Sequence, residues 1–312
     1  MKRMLLVLDI SALFLFIVLI GCVPINSAQD TSVLSPTSTP MLVESRIKGQ
    51  AVYSKYVDKE TSVTQIFLKN LDSGDTVQLT ETGSNDFPKW SPDGSQISYI
   101  SWTNEKHYDI YVMDKDGKNK TPIVSTNANE READWSPNGD EIVFVSNKTG
   151  NDELYKIDLD TKSIVRLTDT PEDEAFPQWS SNGNSIAFIS TIDGGRTQIS
   201  IMDANGTNIR QVTGYQLEGF DRDPVWCPDS SCIVFTRLSM PAKLMLIDLN
   251  TMEMTSLLGD SANVQGDEGW PARSPVRGFI TFAVMEKFFA IDMKTKETYP
   301  LEIQGLNLSL YP

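Results

Sequence analysis

Histidine is almost missing from this chain: His107 is the only one, in the polar stretch Thr103-Asn104-Glu105-Lys106-His107-Tyr108. A lone loop histidine is expected on the surface, not in catalysis. The sequence also lacks Gly-x-Ser-x-Gly, His-Glu-x-x-His and any phosphate-cradling glycine loop. Basic residues are outnumbered 27 to 42, for a net charge of −15. That balance argues against nucleic acid and against adhesion to anionic membranes. Helical periodicity is absent between the apolar runs. The one extended apolar run, Met4 to Ile20, falls short of the roughly 20 residues of a membrane-spanning helix.

What the chain does have is a repeat. Trp90-Ser91-Pro92-Asp93-Gly94 returns as Trp135-Ser136-Pro137-Asn138-Gly139, Trp179-Ser180-Ser181-Asn182-Gly183 and Trp226-Cys227-Pro228-Asp229-Ser230. A worn copy, Arg273-Ser274-Pro275, keeps the frame, and the spacings are 45, 44, 47 and 47 residues. Seven residues after each lead position a β-rich run starts, as in Ile142-Val143-Phe144. A second run ends in aspartate at Asp114, Asp158, Asp203, Asp248 and Asp292, and a short last strand follows. Four strands in about 45 residues, joined by tight polar turns, make a propeller blade.

The two ends of the chain set the count. Gly49-Gln50-Ala51-Val52-Tyr53 matches Ser95-Gln96-Ile97-Ser98-Tyr99, so a first blade exists without its own inner strand. The expected donor is the C-terminal strand, roughly Leu306 to Tyr311, with Tyr311-Pro312 aligned on Phe87-Pro88. The fold class expected is all-β: a six-bladed propeller over residues 46–312, closed by its last strand so that no sheet edge stays free.

Trp-Ser-Pro-Asp-Gly, then Ile-x-Tyr/Phe, Ile-Tyr-Val-Met-Asp and Leu-Thr, resembles the propeller repeat of the TolB family across roughly residues 47 to 312. The resemblance implies a periplasmic or extracellular propeller that binds a protein partner at its channel mouth. The two-domain members carry an α/β domain ahead of the propeller. Here about 25 residues separate the apolar run from the first blade.

Those first residues read as an address. Lys2 and Arg3 precede the apolar run, giving a signal peptide over 1–21. Leu19-Ile20-Gly21-Cys22 resembles the lipobox of bacterial lipoproteins, which makes Cys22 the expected lipidated residue. Residues 22–45, with Pro24, Pro36 and Pro40, read as a disordered tether. The expected location is the cell or outer membrane, lipid-anchored, facing periplasm or exterior.

Cys227 and Cys232 flank the hairpin turn of the fifth blade, and in an oxidising compartment they read as a disulfide. The alternative is two reduced thiols that happen to flank a turn. Asp114-Lys115-Asp116-Gly117-Lys118-Asn119 opens like a calcium loop, but Ser125 occupies its twelfth position instead of glutamate. Asp203-Ala204-Asn205-Gly206-Thr207-Asn208 holds the same place in another blade, so a recurring structural turn explains both. No metal or cofactor is called for.

The loops entering each inner strand are acidic. They carry Asp86; Glu130, Glu132 and Asp134; Glu172, Asp173 and Glu174; Glu218, Asp221 and Asp223; Asp267 and Glu268. Lys89, Arg131, Arg222 and Arg273 offset them only in part. Converging like charges focus a negative potential, and Phe87, Phe176, Phe220, Trp270 and Tyr311 lie beside them as apolar anchors. The candidate mouth is therefore Asp86, Glu132, Asp173, Asp221 and Asp267 with Phe87, Phe176 and Trp270. The function expected is a monomeric, non-enzymatic scaffold for an envelope protein or a basic peptide segment. The alternatives are ordinary acidic solubility, and a glycan-binding or glycan-cleaving propeller using channel carboxylates.

Overall fold

The computed structural model describes residues 49–312 except 103–106, 193–194, 214–219, 240, 260–267, 274–277, 285–286, 305 and 312. The signal peptide, Cys22, the tether and Asp267 lie outside the described residues. Every described sheet has four antiparallel strands, and there are six of them. Blade one contains β1 (Gln50–Asp58), β2 (Val63–Asn70) and β3 (Thr76–Gln78). Blade two is β4 (Ser84–Trp90), β5 (Gln96–Trp102), β6 (Asp109–Asp114) and β7 (Thr121–Val124). Blade three is β8 (Glu130–Trp135), β9 (Glu141–Ser146), β10 (Glu153–Asp158) and β11 (Ile164–Arg166). Blade four is β12 (Asp173–Trp179), β13 (Ser185–Ile192), β14 (Arg196–Asp203) and β15 (Arg210–Gln211). Blade five is β16 (Phe220–Trp226), β17 (Cys232–Leu238), β18 (Lys243–Asp248) and β19 (Met254–Ser256). Blade six is β20 (Glu268–Arg273), β21 (Phe279–Val284), β22 (Lys287–Asp292) and β23 (Thr298–Gln304). The last strand, β24 (Leu306–Tyr311), pairs with β1 and completes blade one.

The closure is as expected, but its alignment is not. Ala51 faces Leu310 and Val52 faces Ser309, as Ile97 faces Trp90 and Ser98 faces Lys89. Leu310 thus stands where the repeat has tryptophan, and Tyr311 is level with Ser91 rather than Phe87. A hydrogen bond agrees with this register. The Trp90 N–H donates to Ser309 Oγ at 3.4 Å, as the Trp179 N–H donates to Asp134 Oδ2 at 2.9 Å two seams further on.

Middle strands such as Ile142-Val143-Phe144-Val145 are buried throughout instead of alternating, because each blade is covered on both faces by its neighbours. The core is accordingly six separate seams. Val52, Ile66 and Leu79 of blade one pack against Trp90, Ile97, Tyr99 and Met113 of blade two. The closing seam sets Ala283, Phe288, Ala290, Tyr299 and Ile303 of blade six against Ala51, Tyr53 and Leu308. At about 1.5–3 kcal/mol for each large apolar side chain removed from water, every seam outweighs any single hydrogen bond in it.

The repeated turn follows from its residues. The Ser91 N–H donates to Gln96 O at 2.9 Å, the Gly94 N–H donates to Ser91 O, and the Gln96 N–H donates to Ser91 Oγ at 2.9 Å. Ser136 and Ser180 repeat the pattern toward Glu141 and Ser185. Gly94, Gly139 and Gly183 take left-handed φ values of 67°, 82° and 73°. In blade five Ser230 adopts φ 62° without glycine's freedom. There Cys227 and Cys232 replace the serine and its partner, bridged by a disulfide with Cα atoms 5.2 Å apart.

Candidate binding site at the channel mouth

Each inner strand slips register by one residue just before its tryptophan position. Asp86 pairs with Ile100 and Lys89 with Ser98, leaving Phe87 and Pro88 opposite Tyr99 alone. The same bulge sets Glu132 and Ala133 against Phe144, Phe176 and Pro177 against Phe188, and Asp223 and Pro224 against Phe235. Trp270 and Pro271 face Phe282, and Asn307 is the extra residue in β24. Proline suits this point because it has no N–H to lose from the ladder. Phe87, Glu132, Phe176 and Asp223 all hold positive φ, 50° to 57°. Four non-glycine residues in a costly conformation, at one repeated place, mark a built feature.

The bulges are tied to one another around the ring. The Phe176 N–H donates to Glu132 Oε2 at 2.6 Å. The Arg222 guanidinium lies 5.9 Å from the centre of the Phe176 ring. Burial raises the Glu132 carboxyl, Arg131 opposes that, and Asp223 of blade five adds to it. Burial likewise raises Asp223, against the charges of Arg222 and of Lys89 in blade two. Blades two and five lie opposite in a ring of six. Their electrostatic contact places these side chains toward its centre.

The expected mouth residues divide into several groups. Asp86 accepts from Ser54 Oγ and from the Phe87 N–H. Glu132, with its side chain 11% exposed, also lies 3.5 Å from Arg131 Nε, and Arg131 pairs with Asp152 as well. Asp173 is exposed and accepts the Asp152 N–H at 3.0 Å. Asp221 is turned inward: it is 3% exposed and accepts both Arg237 Nε and an Arg237 terminal nitrogen, at 2.7 and 2.8 Å. Phe87 and Phe176 sit on bulges, as does Trp270 in β20. Three further acids of these loops are buried: Glu130 with Thr126 and Ser146, Glu174 with Thr170, and Asp134 with the Trp179 amide. Much of the acidity counted along the loops is therefore spent within the blades. Asp223 stands level with Glu132 on the ring, and aligning the residue before each bulge proline would have singled it out.

The calcium-like turns hold themselves together. Asn119 Nδ2 donates to Asp114 Oδ2 and Asn208 Nδ2 to Asp203 Oδ2, both at 2.7 Å. A Cβ on Gly206 would come 2.8 Å from the Leu167 carbonyl oxygen of the preceding blade, and one on Gly117 3.1 Å from Leu79 O. These glycines let neighbouring blades approach. Among the described residues no group of three or more His, Cys, Asp or Glu could hold a metal ion. Nor, among them, is any helix long and apolar enough to cross a membrane.

Fold and mouth define a six-bladed propeller with bulge residues gathered about its axis. The model of the TolB β-propeller domain matches residues 30–276, and the chain belongs to that family. An uncharacterized protein of Agrobacterium fabrum is 28% identical over 104 residues, which are 33% of this chain and 35% of that one. The crystal structure of TolB from Acinetobacter baumannii is 21% identical with a TM-score of 0.67, covering 84% of this chain and 66% of that one. A putative TolB from Agrobacterium tumefaciens is 16% identical with a TM-score of 0.62, covering 85% and 98%. Enzymes share the propeller too, a lyase and peptidases among them, at 10–14% identity. Identities this low show the fold alone.

Proposed function

We propose that this chain is a protein-binding module of the cell envelope, held to a membrane by lipid on Cys22, whose mouth receives a basic segment of a partner protein. Membership of the TolB propeller family supports a binding role over a catalytic one. The observation that carries the choice of partner is the repeated bulge itself, which sets Glu132 of blade three and Asp223 of blade five at the same level of the ring, where Asp223 acts on Glu132. A lysine or arginine entering there meets carboxylates rather than bulk water, with the apolar Phe87 and Phe176 on adjoining bulges.

A photo-crosslinking residue at position 87 or 176 in intact cells tests this. Capture of an envelope protein from these positions, and not from the exposed turn residue Asn138, is expected. Capture of glycan instead, or turnover of a glycan that stops when Glu132 and Asp223 become amides, would favour the sugar-acting reading. Cys22→Ser should release the protein from membranes; retention would remove the lipid anchor.

A further inference from the structure

Five of the six seams have two polar residues at one repeated place. Between blades one and two, Asn85 Nδ2 of β4 donates to Gln65 Oε1 of β2 at 2.9 Å, both residues 2% exposed. Counting along the repeat, the same two positions hold Glu130 with Asp109, Glu174 with Glu153, Asp221 with Gln198, and Glu268 with Lys243. Two seams therefore oppose acid to acid. Glu130 and Glu153 are 0% exposed, Glu174 2% and Asp109 4%.

The bonds at Glu153 and Glu174 are specific. Glu153 Oε1 accepts from an Arg166 terminal nitrogen at 2.8 Å, from the Thr170 N–H at 2.9 Å and from Asn151 Nδ2 at 3.2 Å. Glu174 Oε1 accepts from Thr170 Oγ1 at 2.8 Å. Oε2 of each residue finds no donor among the described residues, and each carboxyl lies within electrostatic reach of the other. Two ionised carboxylates are acceptors only, so a bond between those two oxygens requires a proton. We propose that one proton held between Glu174 Oε2 and Glu153 Oε2 latches blade four to blade three. Its loss as pH rises loosens the seam beside the mouth, two residues from Phe176.

The surroundings place the proton on Glu174. Glu153 is buried, but Thr168, the Thr170 amide, Arg166 and Asn151 together outweigh burial and hold it below the usual range. Burial pushes Glu174 up to about 8, with the charges of Glu153 and Glu172 adding to it and Thr170 opposing. The other charges facing the pair are Asp169, bonded to Arg166, and Asp152, whose carboxyl senses Glu153. Lys148 senses both Arg166 and Glu130. In the unfolded chain Glu174 ionises at its ordinary 4.5. The stability that the proton lends is thus complete below about 4.5 and is lost as pH rises through about 8.

Glu174→Gln tests this, because its amide can donate to Glu153 without a titrating proton, as Asn85 does to Gln65. Between pH 4.5 and 8 the wild-type Tm should fall more steeply than the variant's. Backbone exchange at Ala175 and Phe176 should rise with pH, beyond its intrinsic dependence, in the wild type only. Equal slopes would overturn the proposal. So would a wild-type slope that calcium flattens and a chelator restores, since a cation would then fill the seam. If the variant does not fold, wild-type protein with 13C-labelled glutamate carboxyls decides. One glutamate titrating near 8 is expected, and none titrating there overturns it.

Discussion

The Phe176 N–H donates to Glu132 Oε2 across 2.6 Å, joining the bulge of blade four to that of blade three. This bond helps hold a phenylalanine at φ 50° and orients a mouth carboxylate at once. Replacing Glu132 by alanine leaves the amide without this acceptor and should cost about 1–3 kcal/mol in urea melts. Glu132→Gln keeps an acceptor oxygen and should cost less. Equal losses would show that the bond contributes nothing.

Gly206 and Gly74 separate two reasons for glycine. Both have positive φ, 86° and 79°, but only Gly206 lies against a neighbouring blade, at Leu167. Gly74→Ala should lose about 1–2 kcal/mol, the cost of a left-handed alanine. Gly206→Ala should lose clearly more, since its Cβ meets backbone at 2.8 Å. Similar losses for both would contradict the close-approach argument.

The bridge between Cys227 and Cys232 closes a five-residue separation at the turn of blade five. Reduction should lower stability by about 2 kcal/mol, the loop-closure figure for so short a loop. The double change Cys227→Ser with Cys232→Ser should recover part of this, because Ser91 and Ser180 bond the amide five residues on. Two free thiols in unfolded, unreduced protein would show that the bridge does not form.

The closing strand supplies the inner edge of blade one and buries Leu308 in the last seam. Ending the chain before Leu306 should broaden the thermal transition as blades one and six lose their shared core. An unchanged, equally sharp melt would contradict closure by β24.

Repeats made the fold legible, and bulges hid the site. The tryptophan turns give blade number and strand order because each copy must bury the same surface and turn at the same place. Asp221 and Asp223 show what spacing alone misses. Two residues apart on a regular strand they would share a face. The slip between Arg222 and Val225 breaks that alternation, sending Asp221 to Arg237 while Asp223 stands on the bulge. At the C-terminus, Tyr311-Pro312 looks like Phe87-Pro88, but pairing with Gln50 sets Tyr311 level with Ser91. Register depends on both strands, so one strand read alone placed it four residues away.

The central claim is tested most directly by salt-dependent capture of the crosslinked partner by wild type and a mouth-neutralised variant. That variant carries Asp86→Asn, Asp173→Asn and Asp223→Asn; Asp221 is left intact because it pairs with Arg237 inside the blade. With folding verified first, the account predicts that wild type loses the partner as salt rises, since screening weakens exposed charges. The variant should hold it weakly at every salt concentration. Equal retention and equal salt dependence for the two proteins would contradict an acidic mouth that binds a basic partner.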